Sequence, residues 1–224
     1  MKPGQFIMVW VPGVGEIPLS LSTIEGRRKS ITVKRYGIVS QALLKYKPGD
    51  RIFLRGPYGT GFTQTEERNL IIGGGSGMAA LRPLINDKSF GMVSAKTGDE
   101  LLFTHEFKEN SIMIMTDDGS SGLKGFPSDY LESVDIDQFA KIYACGPELM
   151  LKALYYKLKD ARPDAEFSME RIMKCGIGIC DSCSIDGRQI CVDGPVVRVG
   201  EINPDGEFGH QKLDISGRRI EIHL

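Results

Sequence analysis

The chain has 224 residues, room for one large domain or two to three small ones. Hydrophobic residues make up 41% and charged residues 25%, an ordinary globular composition that excludes a disordered chain. Its 28 Lys and Arg against 29 Asp and Glu leave a net charge of −1, so neither nucleic acid nor an anionic membrane surface is expected as its main partner.

No apolar run reaches the ~18–20 residues of a membrane-spanning helix, and the opening Met1-Lys2-Pro3-Gly4-Gln5 has no apolar signal core. The expectation is a soluble cytoplasmic protein with no membrane contact. The first stretch reads as β structure: Gln5 to Val11, then Leu19 to Ile24, then Ile31 to Tyr36 with period-two alternation. Ser40 to Lys47 reads as a short helical turn, and Pro48-Gly49-Asp50 turns into a fourth strand, Arg51 to Arg55. Short strands at this spacing predict a small β-barrel.

The pattern changes near residue 68. The apolar run Asn69 to Ile72 leads into Gly73-Gly74-Gly75-Ser76-Gly77 and then Met78-Ala79-Ala80-Leu81, which is strand, glycine loop and helix. Further strands are expected at Gly91 to Ser94, Ile112 to Met115 and Lys141 to Cys145, and a helix from Pro147 to about Asp160. Alternating strands and helices predict a parallel sheet. From Met169 onward the chain is rich in cysteine and glycine and ends in a β-like tail, Leu213 to Leu224. The expected class is multi-domain, α/β plus β: a barrel over 1–64, a parallel-sheet domain over 65–165, and a cysteine-rich domain with the tail over 166–224.

Of five cysteines, Cys175, Cys180, Cys183 and Cys191 crowd together while Cys145 stands alone. A disulfide framework would spread its cysteines across a small secreted domain, so a metal or cluster is the better reading. Spacing of x4 and then x2, with a fourth cysteine farther on, is that of plant-type [2Fe–2S] ligation. Gly176 and Gly178 let such a loop turn its amides toward the sulfurs. A four-cysteine zinc site is the competing reading, although zinc sites usually offer two close pairs.

Gly73 to Gly77 has the form of a phosphate cradle, because amides at a helix start bind phosphate and glycines admit a pyrophosphate. It departs from the dinucleotide fingerprint: Met78 stands where the third glycine belongs, and Ser94 and Lys96 occupy the region where a ribose-binding acid is sought. A tight turn with no ligand is the alternative. Cys145-Gly146-Pro147 ends a strand and opens a helix at proline. A cysteine so placed is more often packing than chemistry. Arg55 to Phe62 reads alone as a glycine-rich turn. His105, His210 and His223 show no ligand spacing, and no Ser-His-Asp or paired-carboxylate arrangement stands out.

Taken together, these motifs resemble the ferredoxin-reductase-like flavoproteins, and among them the electron-transfer subunits of class 1B dihydroorotate dehydrogenase. The resemblance runs from residue 3 to about 197. Its pieces are Pro3-Gly4-Gln5-Phe6, Pro18-Leu19-Ser20, Gly56 to Phe62, Gly73 to Gly77, Thr116-Asp117-Asp118-Gly119-Ser120, Ala144-Cys145-Gly146-Pro147, Ser168-Met169-Glu170, Cys175 to Cys180 and Cys191 to Pro195.

That resemblance implies that the barrel binds flavin, with Pro18, Leu19 and Ser20 along it, and Thr32, Val33, Lys34, Val39 and Ser40 holding the rest of the FAD. It implies that Gly73, Gly74, Gly75 and Gly77, with Cys145, Gly146 and Pro147, border NAD(H), and that Cys145 lies at the reacting nicotinamide as the catalytic candidate. Cys175, Cys180, Cys183 and Cys191 would ligate the [2Fe–2S] cluster. Hydride would pass between NAD(H) and FAD, and single electrons between FAD and the cluster. The implied partner is an FMN-containing dihydroorotate dehydrogenase catalytic subunit of pyrimidine biosynthesis, in a heterotetramer.

Two departures stand out. Ile17 replaces the family's arginine, leaving Lys34 or Arg35 as the nearby cation and FAD versus FMN open. NAD versus NADP is open as well. The family barrel also begins with strands upstream of Pro-Gly-Gln-Phe, so either a trimmed barrel with an exposed edge or a start farther upstream is expected. The alternative function keeps the cofactors but changes the partner to a cytoplasmic hydrogenase or a bifurcating ferredoxin–NADP reductase. A nonenzymatic zinc or nucleotide-binding module is the rival from another class.

Overall fold

A computed structural model describes residues 1–223. In chain order, β1 (Phe6–Val11), β2 (Gly15–Thr23) and β3 (Ser30–Ile31) precede α1 (Ile38–Leu43) and β4 (Phe53–Tyr58). Next come β5 (Asn69–Gly74), α2 (Met78–Leu81), β6 (Phe90–Ala95), β7 (Ile112–Thr116), β8 (Leu123–Lys124) and α3 (Pro127–Tyr130). They are followed by β9 (Lys141–Cys145), α4 (Glu148–Leu158) and β10 (Asp164–Ser168). The last part holds β11 (Ser184–Ile185), β12 (Arg188–Gln189), α5 (Ile190–Asp193), β13 (Val196–Arg198), β14 (Gln211–Leu213) and β15 (Arg219–Glu221).

The first four strands form an open antiparallel sheet in the order β3-β2-β1-β4. Its outer strands do not pair with each other, so the expected barrel is not closed among the described residues. β3 is also shorter than the alternation of Ile31 to Tyr36 predicts. Only Ser30 and Ile31 pair with β2, where the register shifts between Leu21 and Thr23. An edge strand lasts only as long as its one neighbour offers hydrogen bonds. Beyond the shift the chain turns away, and Lys34 meets Glu100 of the next segment at 2.8 Å.

α1 begins two residues before the predicted turn because Ser40 caps it. The Ser40 hydroxyl accepts the Tyr36 and Gly37 amides at 2.9 and 3.0 Å and donates to the Gly37 carbonyl.

β1 is buried on both faces except at Trp10, which stays exposed near its end. Phe6 and Met8 point into a large core shared with β5, β9, α4 and the cysteine-rich segment. Ile7, Val9 and Val11 point the other way, onto Leu21, Val39 and Leu43. Strand alternation sends successive side chains to opposite faces, so one six-residue run serves two cores.

The second sheet has seven strands in the order β13-β10-β9-β5-β6-β7-β8. β5, β6, β7, β9 and β10 are parallel to their neighbours, as the alternating pattern predicts, and β13 closes one edge antiparallel to β10. β5 is buried along its whole length, as expected of a central strand covered on both faces. α4 packs Met150, Leu151, Leu154, Tyr155 and Leu158 inward, one helical face of residues three and four apart. β14 and β15 pair as the β-like tail, and Leu224 lies outside the described residues. No helix among the described residues is long and apolar enough to cross a membrane.

β10 and β13 went unread in the sequence, and through them the cysteine-rich segment joins the parallel sheet. The first and third segments also meet at one joint. The Thr60 amide donates to the Gly194 carbonyl at 2.5 Å and its hydroxyl to the Val196 carbonyl at 3.1 Å. A second joint is the buried pair of Arg171 and Glu148, at the start of α4. One guanidinium nitrogen lies 2.8 Å from a carboxylate oxygen that also accepts the Gly209 amide at 2.7 Å. Removing one member of a buried pair strands the other charge. Arg171→Leu should therefore lower the unfolding free energy by about 3–5 kcal/mol, read by urea denaturation.

Candidate functional site

β5 and β9 are parallel neighbours, but the chain runs outward from β5 through β6 and from β9 through β10, toward opposite edges. Open α/β sheets bind ligands at such a switch point, in the crevice beyond the strand carboxyl ends. Gly73 stands in register with Cys145, so Gly73 to Gly77 and Cys145 to Pro147 form the two lips of this crevice.

The glycines there divide by role. A Cβ on Gly74 would meet Met150 Sδ at 2.7 Å and Pro147 at 3.0 Å; one on Gly77 would meet the Cys145 carbonyl oxygen at 2.5 Å; one on Gly146 would meet Gly74 Cα at 3.0 Å. Gly73 is closed off in the same way by Met78. These four glycines let strand, loop and helix touch. Gly75 differs: its φ is +52° and nothing lies within 4 Å of where its Cβ would point. Gly75 and the exposed Ser76 are the part of the loop that faces open space.

Cys145 is half-buried at the opposite lip. Burial, reinforced by the Glu170 carboxylate and opposed by a Ser168 hydrogen bond, pushes its thiol up to about 12. It is a neutral, polarisable surface at neutral pH and not a thiolate nucleophile. Two acids from the end of β7 stand beside the terminus of β6. The Asp117 amide bonds the Ala95 carbonyl at 3.1 Å and the Asp118 amide bonds Lys96 at 3.3 Å, which lays both residues beside the β6 terminus. Sequence reading searched only the next strand, although the Thr116 to Ser120 motif held the signal.

β2 carries Pro18, Leu19 and Ser20, all half-buried, and is packed by α2 on its Ser22 and Thr23 end. There Arg82 donates to the Thr23 hydroxyl at 2.9 Å. Thr32 and Val33 are half-buried on the segment after β3, with Lys34 exposed and paired to Glu100. Val39 and Ser40 are buried, the first in the core and the second as the α1 cap, so their side chains face inward. The open surface beside them is Tyr36 and Ile38, 98% and 71% exposed.

The cysteine loop runs from Cys175 to Cys183. Gly176, Gly178 and Asp181 all take positive φ, from 58° to 75°, which winds the loop tightly. Its amides turn inward: Ile177 and Ile179 both donate to Cys175 Sγ at 3.4 Å, and Gly178 donates to Cys191 Sγ at 3.2 Å. The Cys191 amide donates to Cys183 Sγ at 3.4 Å. Burial raises the Cys175 thiol, but the amides of Ile177, Ile179 and Cys180 outweigh it and bring it down to about 6. Burial and the neighbouring Cys183 push Cys191 up to about 12.

The sulfurs are neighbours in the loop: Cys180 acts on Cys175, and both Cys183 and Cys175 act on Cys191. No three His, Cys, Asp or Glu side chains among the described residues converge as one mononuclear ion requires. Four neighbouring cysteines with amide donors on their sulfurs suit a two-iron cluster, which needs four thiolates and amides around its sulfurs. The donor set therefore fits [2Fe–2S] better than tetrahedral zinc.

An antiparallel sheet set against a doubly wound sheet, with a cysteine loop on its flank, defines a ferredoxin-reductase-like electron-transfer protein. One solved structure of this fold bears the description "Insights into flavin-based electron bifurcation via the NADH-dependent reduced ferredoxin-NADP oxidoreductase structure". It is 30% identical with a TM-score of 0.78, covering 92% of this chain and 80% of its own. A flavohem-like FAD/NAD binding domain of a nitric oxide dioxygenase from Vibrio cholerae shares the fold at 20% identity and TM-score 0.61, over 75% of this chain and 85% of its own.

The iron–sulfur cluster binding domain of dihydroorotate dehydrogenase B matches residues 170–203. A probable dihydroorotate dehydrogenase B (NAD(+)) electron transfer subunit from Thermoplasma acidophilum is 51% identical, over 100% of this chain and 89% of that protein. One from Pyrococcus horikoshii is 42% identical, over 92% and 83%. This chain belongs to the family of dihydroorotate dehydrogenase B electron transfer subunits.

Two glycine variants test the division of the loop. Gly75→Ala should weaken NADH binding at least tenfold by isothermal titration, with a stability loss of only about 1–2 kcal/mol from the positive φ. Gly77→Ala, which drives a methyl into the Cys145 carbonyl, should instead show as a fall in melting temperature.

Proposed function

We propose that this chain relays electrons between NAD(H) and an FMN-containing dihydroorotate dehydrogenase catalytic subunit, through FAD and a [2Fe–2S] cluster. The observation that carries this reading is the place of β2. The glycine-loop helix α2 packs on its carboxyl end, and the cysteine loop lies against β1 and β4 on the same sheet. A flavin along Pro18, Leu19 and Ser20 would thus lie between nucleotide and cluster.

That order matches the chemistry: nicotinamide exchanges hydride, the cluster takes single electrons, and a flavin handles both. The three segments 1–64, 65–165 and 166–224 each serve one cofactor. In the crevice, the amides at Gly75 and Ser76 receive the pyrophosphate. Asp117 and Asp118 lie where ribose hydroxyls would bind and disfavour a 2′-phosphate, which supports NAD over NADP. Cys145 offers an uncharged wall beside the nicotinamide and takes no proton. Lys34 exchanges Glu100 for the flavin pyrophosphate, standing in for the arginine that Ile17 replaces. Four cysteines hold the cluster, and their amide donors stabilise charge on its sulfurs.

The partner docks on the cluster face in a heterotetramer. Cys180 is exposed, and Ile177, Ile179 and Val192 around it are 50%, 76% and 48% exposed. Apolar side chains grouped about a redox centre suit a protein surface that must exclude water. The names of the curated relatives support a catalytic partner for this face.

In an anaerobic rapid-mixing experiment with NADH, flavin bleaching should precede the reduced-cluster signal. Cys180→Ser should abolish the cluster signal and electron delivery to the catalytic subunit while NADH still bleaches the flavin. Delivery that survives without the cluster would refute the relay order. Ile179→Asp should weaken association with the catalytic subunit about tenfold or more at unchanged iron content, measured by titration calorimetry.

A further inference from the structure

One side chain ties the flavin strand to the cluster loop. In the first sheet Pro18 of β2 stands opposite Met8 of β1, and Met8 stands opposite Arg55 of β4. The three residues form one cross-strand row. With strands about 4.8 Å apart, the ends of that row are separated by about 10 Å. Pro18 lies at one end, on the segment assigned to flavin. The cysteine loop lies at the other.

The Arg55 guanidinium spans from the sheet to the loop with its donors directed at partners. Nε donates to Glu16 Oε1 at 2.7 Å, and Nη2 donates to Glu16 Oε2 at 2.7 Å and to the Lys174 carbonyl at 3.2 Å. Nη1 donates to the Cys175 carbonyl at 2.5 Å, with the Tyr58 hydroxyl at 3.5 Å. Lys174 and Cys175 are the backbone on which the first cluster ligand is mounted. Glu16 is on β2, two residues before Pro18 and therefore on the same face of the strand. The loop rests directly on this frame: a Cβ on Gly176 would be 3.4 Å from both Met8 and Tyr58, and 3.6 Å from Arg55 Nη1.

The arrangement contributes little as a plain ion pair. The Arg55 and Glu16 side chains are 35% and 25% exposed, so solvent screens much of their charge attraction. Geometry is what the planar fork supplies. It can grip a carboxylate with two bonds and two successive carbonyls at once, whereas a lysine offers a point charge on a flexible stem.

We propose that Arg55 is a positioning residue which, with Glu16, holds Cys175 at a set distance and orientation from the flavin strand and thereby sets the rate of flavin-to-cluster electron transfer. This rests on the relay reading above. In the step affected, one electron leaves the reduced flavin and one enters the cluster, and Arg55 itself neither gains nor loses an electron or a proton.

The test uses the holo-protein and its Arg55→Gln, Arg55→Lys and Glu16→Gln variants. Each is mixed anaerobically with NADH, following flavin bleaching and the paramagnetic signal of the reduced cluster separately, with iron and sulfide content measured. In Arg55→Gln the flavin-to-cluster step should slow about tenfold or more. The NADH-to-flavin step should stay within about twofold, and the cluster spectrum should shift at full iron content. Arg55→Lys should fall between this variant and the parent, and Glu16→Gln, which keeps the shape of the frame, should give a smaller loss of the same kind. An unchanged flavin-to-cluster rate with an unchanged spectrum would overturn the assignment. So would a slowing that only follows loss of iron, since that marks a role in cluster retention. A parent protein whose cluster is reduced without the flavin would instead overturn the relay reading.

Discussion

β1 serves two cores at once, and most of the molecule depends on that constraint. Five of its six residues are buried: Phe6 and Met8 in a core that also contains Cys183 and Cys191, and Ile7, Val9 and Val11 in a core closed by α1. Because side chains alternate strictly along a strand, a slip of one residue would exchange the two sets completely. The register of β1 with β2 and β4 is therefore held from both sides. That same register places Pro18, Leu19 and Ser20 of β2 and the cysteine loop on one rigid frame.

Polar contacts fasten the frame where apolar packing ends. The linker after β4 is held by Tyr143, whose hydroxyl donates to the Thr63 carbonyl at 2.7 Å, and by the buried Glu166 carboxylate, which accepts the Thr63 amide at 2.8 Å. Lys141 lies 3.0 Å from Glu166 and neutralises it. Arg171 and Glu148 play the corresponding part between the cysteine-rich segment and α4. Buried charges of this kind tolerate little displacement, because separating them exposes each to a low-dielectric interior without its partner. Electron transfer between separately bound cofactors requires such fixed spacing, and the joints fall between the segments that would carry them.

Much of the architecture was legible in the chain because its signals are local. The run of Asn69 to Ile72 before a glycine loop, the strand Lys141 to Cys145, and the helical spacing of Met150, Leu154 and Leu158 each announce one element without help from the rest. Cys175, Cys180, Cys183 and Cys191 likewise declare their chemistry by spacing. Where the reading failed, the deciding partner was distant. Ile31 to Tyr36 alternates like a strand, but β2 offers bonds to its first residue alone. Asp164 to Ser168 has little strand character of its own, and β9 on one side and Val196 to Arg198 on the other make it one. Packing also turns the Val39 and Ser40 side chains inward, which their place in the chain does not announce.

The sequence by itself determined the kinds of chemistry present: four thiolates spaced for a two-iron cluster, a glycine loop between strand and helix, and an antiparallel unit ahead of both. Spacing along the backbone is enough for these, because one short loop or turn contains all the atoms that matter. Only the tertiary structure decided which glycines pack and which face open space, which acids stand beside the end of β6, and that Arg55 grips the backbone at Cys175. Each of those depends on residues that meet only after strands pair in register, across separations of up to 120 positions between Arg55 and Cys175. Local propensity carries no record of contacts at that range, and the packed sheet alone brings the partners together.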